Sequence, residues 1–160
     1  MADMLVKLYE LPSLEASLAA LEIQGVTVRR ALAAEKHLVI GWIGQHFWPH
    51  WQSECEVAFS RQPVSCYLAV EGNALLGFAC YDVTRKGFFG PTGVAEAARG
   101  RGIGKALLLA CLHSMWVEGY GYAIIGGAGP VDFYRQAVGA IEIPASTPGV
   151  YQGMLQGDTA

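Results

Sequence analysis

The sequence predicts an α/β domain with a mixed sheet built around one central strand–loop–helix unit. Three observations carry this. Strand-like runs alternate with amphipathic helical stretches along nearly the whole chain. Gly72-Asn73 separates two β-rich runs, 64–70 and 74–81, as a hairpin turn does. Between a strand-like run (87–94) and a helix that puts Ile103, Leu107 and Ala110 on one face lies Arg99-Gly100-Arg101-Gly102-Ile103-Gly104.

In chain order, residues 4–9 read as a short strand ended by Pro12, and Ser13 caps a helix running to Leu21. Residues 26–30 form the next strand and 31–45 a helix. Pro49 breaks or starts a helix in the aromatic segment Phe47-Trp48-Pro49-His50-Trp51, and 54–61 continue as helix. After the hairpin and the strand–loop–helix unit, Gly119 ends the helix. Residues 120–125 are a strand, 132–138 a short helix stopped by Gly139, and 141–144 and 150–155 the closing strands. The expected organisation is an N-terminal β–α extension (1–25), packed at the sheet edge or on a partner, a main domain (26–156) and a loose tail (157–160).

Composition narrows the function classes. A chain of 160 residues suits one domain with a proper core. Hydrophobic residues are 52% and charged residues 16%, with a mean hydropathy of +0.30. No apolar run approaches the roughly 18 residues of a membrane span, so no membrane partner is expected. Residues 1–7 lack the layout of a signal peptide. Cys55, Cys66, Cys80 and Cys111 show no paired spacing and read as small buried hydrophobes in a reducing cytoplasm. A net charge of −3 argues against nucleic acid. The apolar excess points to a subunit interface, hence a homodimer. No His, Cys or Asp cluster has ligand spacing, so no metal is expected.

Residues 99–104 carry the chemistry. Glycines let backbone N–H groups converge on a ligand, and the helix behind them offers unpaired N–H groups at its positive dipole end. Strand, glycine turn and helix N-terminus together make a phosphate cradle. Lys105 is followed by Ala106, so the Walker pattern fails, and glycines at 100, 102 and 104 do not fit the dinucleotide fingerprint. What fits is Arg-x-x-Gly-x-Gly on Arg99, Gly102 and Gly104. This resembles the acyl-CoA pyrophosphate loop of the GNAT family, the GCN5-related N-acetyltransferases. The element order is similar over residues 26–155, which implies a mixed, mostly antiparallel sheet flanked by helices. The resemblance implies acetyl-CoA as cosubstrate, held by Val94, Arg99, Gly100, Arg101, Gly102, Ile103, Gly104 and Lys105.

A second run, Phe133-Tyr134-Arg135-Gln136-Ala137-Val138-Gly139, resembles the family's late motif. It implies that Tyr134 gives a proton to the departing thiolate. Where many members carry an Asn seven residues earlier, this chain has Gly127, in a glycine-rich run that would leave backbone groups to make the contact. The implied reaction is direct attack of a small-molecule primary amine on the thioester, with the backbone N–H near Val94 as oxyanion donor. The base is open among Glu54, Glu96, Asp82, His46 and His50; Cys111, in an apolar helix, is a poor nucleophile. Trp48 and Trp51 line the acceptor or fill a core or dimer contact. The alternatives are a non-catalytic acyl-CoA sensor and a protein acetyltransferase.

Overall fold

The computed structural model describes residues 1–157; of the expected tail, 158–160 lie outside the described residues. The elements follow as β1 (Met4–Lys7), α1 (Leu14–Ile23), β2 (Val26–Arg30), α2 (Lys36–His46), α3 (Pro49–Ala58), β3 (Cys66–Glu71), β4 (Ala74–Tyr81), β5 (Phe88–Val94), α4 (Ile103–Val117), β6 (Tyr122–Ile125), α5 (Val131–Val138) and β7 (Ile141–Glu142). Local signals account for most boundaries. The Ser13 hydroxyl accepts from the Ala16 N–H at 3.2 Å and caps α1. Pro49 is the first residue of α3, where its missing N–H costs nothing. Gly139, at φ 65°, closes α5 in the left-handed region.

One seven-stranded sheet runs in the order β2-β3-β4-β5-β6-β1-β7. Its ladders are antiparallel except β5–β6. Alternating side chains feed two cores. Ala79 and Tyr81 of β4 face the core made by α1, α4 and α5, while Phe78 and Cys80 face the one made by α2 and α3. Helix α4 is the central pillar: Ile103, Met115 and every residue from Ala106 to Leu112 are buried, and it packs across β3, β4 and β5. A leucine so placed contributes about 1.5–3 kcal/mol by burial alone. At its far end, Tyr81 OH donates to Glu118 (2.5 Å) and accepts from Arg30 (2.8 Å), tying helix to sheet.

The N-terminal segment differs from the expectation. Strand β1 is interior, pairing Met4–Lys7 with β6 on one side and Met4 and Leu5 with β7 on the other. Pairing on both sides is what removes this strand from the edge, and Met4 and Val6 are wholly buried in the core. The chain end also differs. Residues 150–155 form no strand: Pro148, with Gly149 and Gly153 at positive φ, turns them into a 3₁₀ turn (Gly149–Tyr151) and coil. Asp3 ties the start of β1 to the segments that follow β6 and β7: its carboxylate accepts from the Gly127 N–H at 2.8 Å, and its carbonyl from the Ile143 N–H at 2.8 Å.

Candidate active site

Strands β5 and β6 pair only at Phe88–Ile124 and Phe89–Ile125, then part. Past Phe89, β5 keeps only its β4 neighbour. The Ala95 N–H donates to Leu76 at 2.8 Å, so alternation along the ladder turns the Val94 N–H to the opposite edge, into the gap that β6 has left. The expected splay is therefore present, with a backbone N–H directed into its mouth.

Two chambers open into this gap. The first, about 470 Å³, is lined by Val94, Arg99, Gly100, Gly102, Ile103, Gly104 and Lys105, with Phe133 and Tyr134 opposite. Its end is the glycine loop. Gly100 and Gly102 sit at φ 79° and 87°, which an L side chain rarely adopts, and a Cβ at either would project into open space. Gly102 stands at the α4 N-terminus. The first intrahelical bond runs from the Ala106 N–H to the Gly102 carbonyl (3.2 Å), so Ile103, Gly104 and Lys105 have N–H groups with no partner inside the helix. An open concave backbone, a positive helix end and the cations Arg99 and Lys105 fit a pyrophosphate.

One expected contact is not there. The Arg101 guanidinium is turned away, bound to Glu71 (2.8 Å) and Gln24 (3.1 Å), and Arg101 is absent from the lining. Two of the backbone N–H groups in the glycine-rich run are also engaged within the protein. Gly127 N–H serves Asp3 and Ala128 N–H serves the Ala2 carbonyl (3.0 Å). These residues line the second chamber and not the first.

The second chamber, about 620 Å³, lies on the other side of Tyr134. Phe89, Thr92, Pro130 and Tyr134 border both. Tyr134 is 5% exposed, with its ring edge-on to Phe133 (5.1 Å) and Phe89 (6.4 Å). Among the described residues its hydroxyl has no hydrogen-bond partner, and burial pushes its pKa up to about 12. It therefore holds its proton at neutral pH.

The aromatic segment divides its work. The Phe47 ring lies directly over Gly93, where any side chain on residue 93 would collide with it, and packs against Trp51 (5.0 Å) and Phe78 (6.0 Å). Trp48, 56% exposed, lines the second chamber. Trp51 both packs on the α2–α3 core and lines the chamber. Of the candidate bases, Glu54 and His50 line this chamber. The other three do not. Asp82, buried, accepts from Gly87 N–H (2.7 Å) and Tyr120 OH (2.9 Å) and is structural. His46 is bound to the Trp42 carbonyl (2.9 Å), and Glu96 sits exposed in the 3₁₀ turn before the loop.

Sequence reasoning missed two neighbours of Glu54: Tyr151 OH donates to its Oε2 at 2.8 Å and Thr84 Oγ1 donates to the same oxygen. It also missed that three cysteines converge. Cys55, Cys66 and Cys80 are fully buried with their sulfurs within 4.8 Å of one another. They pack among Val39, Ile43, Leu68 and Phe78, and burial pushes the Cys80 and Cys111 thiols up. Cys111 is wholly buried in α4 and cannot meet a substrate.

The sequence matches the profile of the Acetyltransferase (GNAT) family over residues 27–139. No curated protein matches it significantly. Solved structures do. A GCN5-related glucosamine N-acetyltransferase region in a fungal multi-domain beta-N-acetylglucosaminidase superposes with a TM-score of 0.73 at 14% identity, over 89% of this chain and 19% of that one. A GCN5-related N-acetyltransferase from Sphaerobacter thermophilus gives 0.66 at 22% identity, over 89% of this chain and 48% of that one. One from Kribbella flavida gives 0.56 at 16% identity, over 88% and 53%. The chain thus spans about half or less of the length of these proteins. At such identities they share the fold, a seven-stranded, mostly antiparallel sheet flanked by helices. The profile match, which covers most of the sequence and both the glycine loop and Tyr134, decides the rest: the chain belongs to the GNAT acetyltransferase family.

Proposed function

We propose that this protein transfers an acetyl group from acetyl-CoA to the primary amine of a small molecule, by direct attack in the gap between β5 and β6. The observation that carries this is the pair of chambers meeting at Tyr134. One ends in a cradle suited to a pyrophosphate, and the other is a partly open cleft for an acceptor. The bound thioester would supply the acyl group and a thiolate leaving group. Arg99, Lys105 and the N–H groups of residues 103–105 would hold the pyrophosphate. The Val94 N–H would donate to the carbonyl oxygen as charge gathers there. Tyr134 would donate to the sulfur. Its pKa of about 12 exceeds that of a thiol, about 8.5. It therefore stabilises the sulfur chiefly by hydrogen bonding while the C–S bond breaks; the attacking nitrogen gives up its surplus proton to water, and the thiolate leaves as free CoA, which solvent protonates. Holding both reactants in one cleft supplies the largest share of the rate.

The volume of the second chamber, about 620 Å³, is that of a small-molecule site. The experiment is thiol release from acetyl-CoA against a panel of arylalkylamines, amino sugars, amino acids, polyamines and a lysine-containing peptide. Turnover with a small amine supports the proposal. Turnover with the peptide alone would make the protein a protein acetyltransferase. CoA binding without turnover on any acceptor would make it a sensor.

A further inference from the structure

We propose that the second chamber selects an amine carried on an apolar, preferably aromatic, body, with Glu54 receiving the ammonium group. This rests on the reading above only in calling that chamber the acceptor side. The chamber volume, about 620 Å³, is that of a small-molecule site. Its walls include Trp48, Trp51, Phe88, Phe89, Tyr134 and Tyr151. Among the lining residues Glu54 is the one carboxylate, and none is Lys or Arg. A substrate carboxylate or phosphate would find no side-chain cation there apart from what His50 offers, whereas a cation finds Glu54.

The carboxylate is poised for that task. Tyr151 and Thr84 both donate to Oε2, and among the described residues Oε1 has no partner. The two donors fix the plane of the carboxylate and leave one oxygen free for an N–H donor. Trp48 and Trp51 stand edge to face, 5.0 Å apart, so the pair presents ring surface to an apolar body or to the cation itself.

The polar inventory argues against a hydroxyl-rich acceptor. Thr92 Oγ1 is committed to the Phe78 carbonyl (3.0 Å). Thr84 and Tyr151 are committed to Glu54, and the N–H groups of Gly127 and Ala128 to the N-terminal strand. Among the described residues that leaves His50, Thr147, the Tyr134 hydroxyl and the indole N–H groups of Trp48 and Trp51 as the lining side-chain groups without such a commitment, beside the free Glu54 oxygen, and most of them are single groups set on aromatic rings. A sugar would bury several hydroxyls against rings and replace only part of its water hydrogen bonds.

The test is calorimetric binding of phenethylamine, phenethyl alcohol and glucosamine to the full chain, alongside thiol release with the two amines. Phenethylamine should bind, and the alcohol, which lacks the charge, should bind at least tenfold more weakly. Glu54→Gln keeps an acceptor for Tyr151 and Thr84 and should weaken phenethylamine at least tenfold while leaving CoA affinity unchanged. Trp48→Leu, at an exposed position, should weaken it several-fold without a change in melting temperature. Failure of phenethylamine to bind the wild type, preference for glucosamine, or an unchanged affinity in Glu54→Gln would overturn the inference. Preferred turnover of glucosamine would do so while leaving acyl transfer intact. Phenethylamine binding with no thiol release from any amine would overturn acyl transfer and leave the chamber's selectivity standing.

Discussion

Replacing Tyr134 by Phe removes one oxygen atom from the junction of the two chambers and little else. The ring is 95% shielded and held edge-on by Phe133 and Phe89, contacts that Phe makes equally well. The hydroxyl has no hydrogen-bond partner among the described residues, so its loss strands no other group, and stability should stay within about 0.5 kcal/mol of wild type. The chemical step should suffer. A positioned donor of this kind is worth on the order of a hundredfold, or about 2.7 kcal/mol in the barrier. KM for acetyl-CoA should barely move, because the bond is made as charge builds on sulfur and not in the ground state. The assay is stopped-flow thiol release at saturating acetyl-CoA and amine, so that chemistry is seen apart from product release. Because burial holds the Tyr134 proton up to about 12, the wild-type rate should show no alkaline loss at the ordinary tyrosine pKa near 10. A Phe variant that keeps the wild-type rate of the chemical step would remove Tyr134 from the mechanism.

Four further outcomes follow from the same geometry. Gly102→Val strains a residue at φ 87° and puts a branched side chain where the pyrophosphate is proposed to sit; calorimetry should show CoA binding abolished in a folded protein. Arg99→Ala and Lys105→Ala should each weaken CoA severalfold by calorimetry, whereas Arg101→Ala, whose guanidinium is spent on Glu71, should change it little. Gly93→Ala drives a methyl into the Phe47 ring and should cost about 1–3 kcal/mol, a fall of several degrees in Tm by calorimetric melting. Glu35, bound by Arg29 and the Leu32 N–H, has its carboxyl lowered from 4.5 to about 2. The unfolded chain takes up that proton first, so its contribution is complete above about pH 4.5 and fades as the pH falls towards 2. Urea titrations should show Glu35→Gln flattening that part of the stability profile.

The glycine loop was legible because its requirements are local: two residues at positive φ, a helix start and nearby cations all lie within a few positions. What depended on distant partners was not. Arg101 looked like a phosphate ligand until Glu71, 30 residues away, and Gln24, 77 away, claimed it. The same holds for β1, whose short apolar run fits an edge as well as an interior until β6 and β7 are placed. Residues 150–155 carry strand-favouring Val150 and Tyr151, but Gly149 and Gly153 turn the backbone away and bring Tyr151 to Glu54. For the cysteines a signal existed but was incomplete. The Gly72-Asn73 turn fixes Glu71 opposite Ala74, a register that would set Cys66 against Ala79. A register shift at Ala69/Val70 moves Cys80 into that place.

Direct transfer is tested most sharply by a single-turnover experiment with the protein in excess over acetyl-labelled CoA, quenched with and without a primary amine. With direct transfer, label leaves CoA only when amine is present. It then appears as one N-acetyl amine per free thiol, with none retained on the protein. Label that stays on CoA with every amine offered, or that accumulates covalently on the chain, would contradict it.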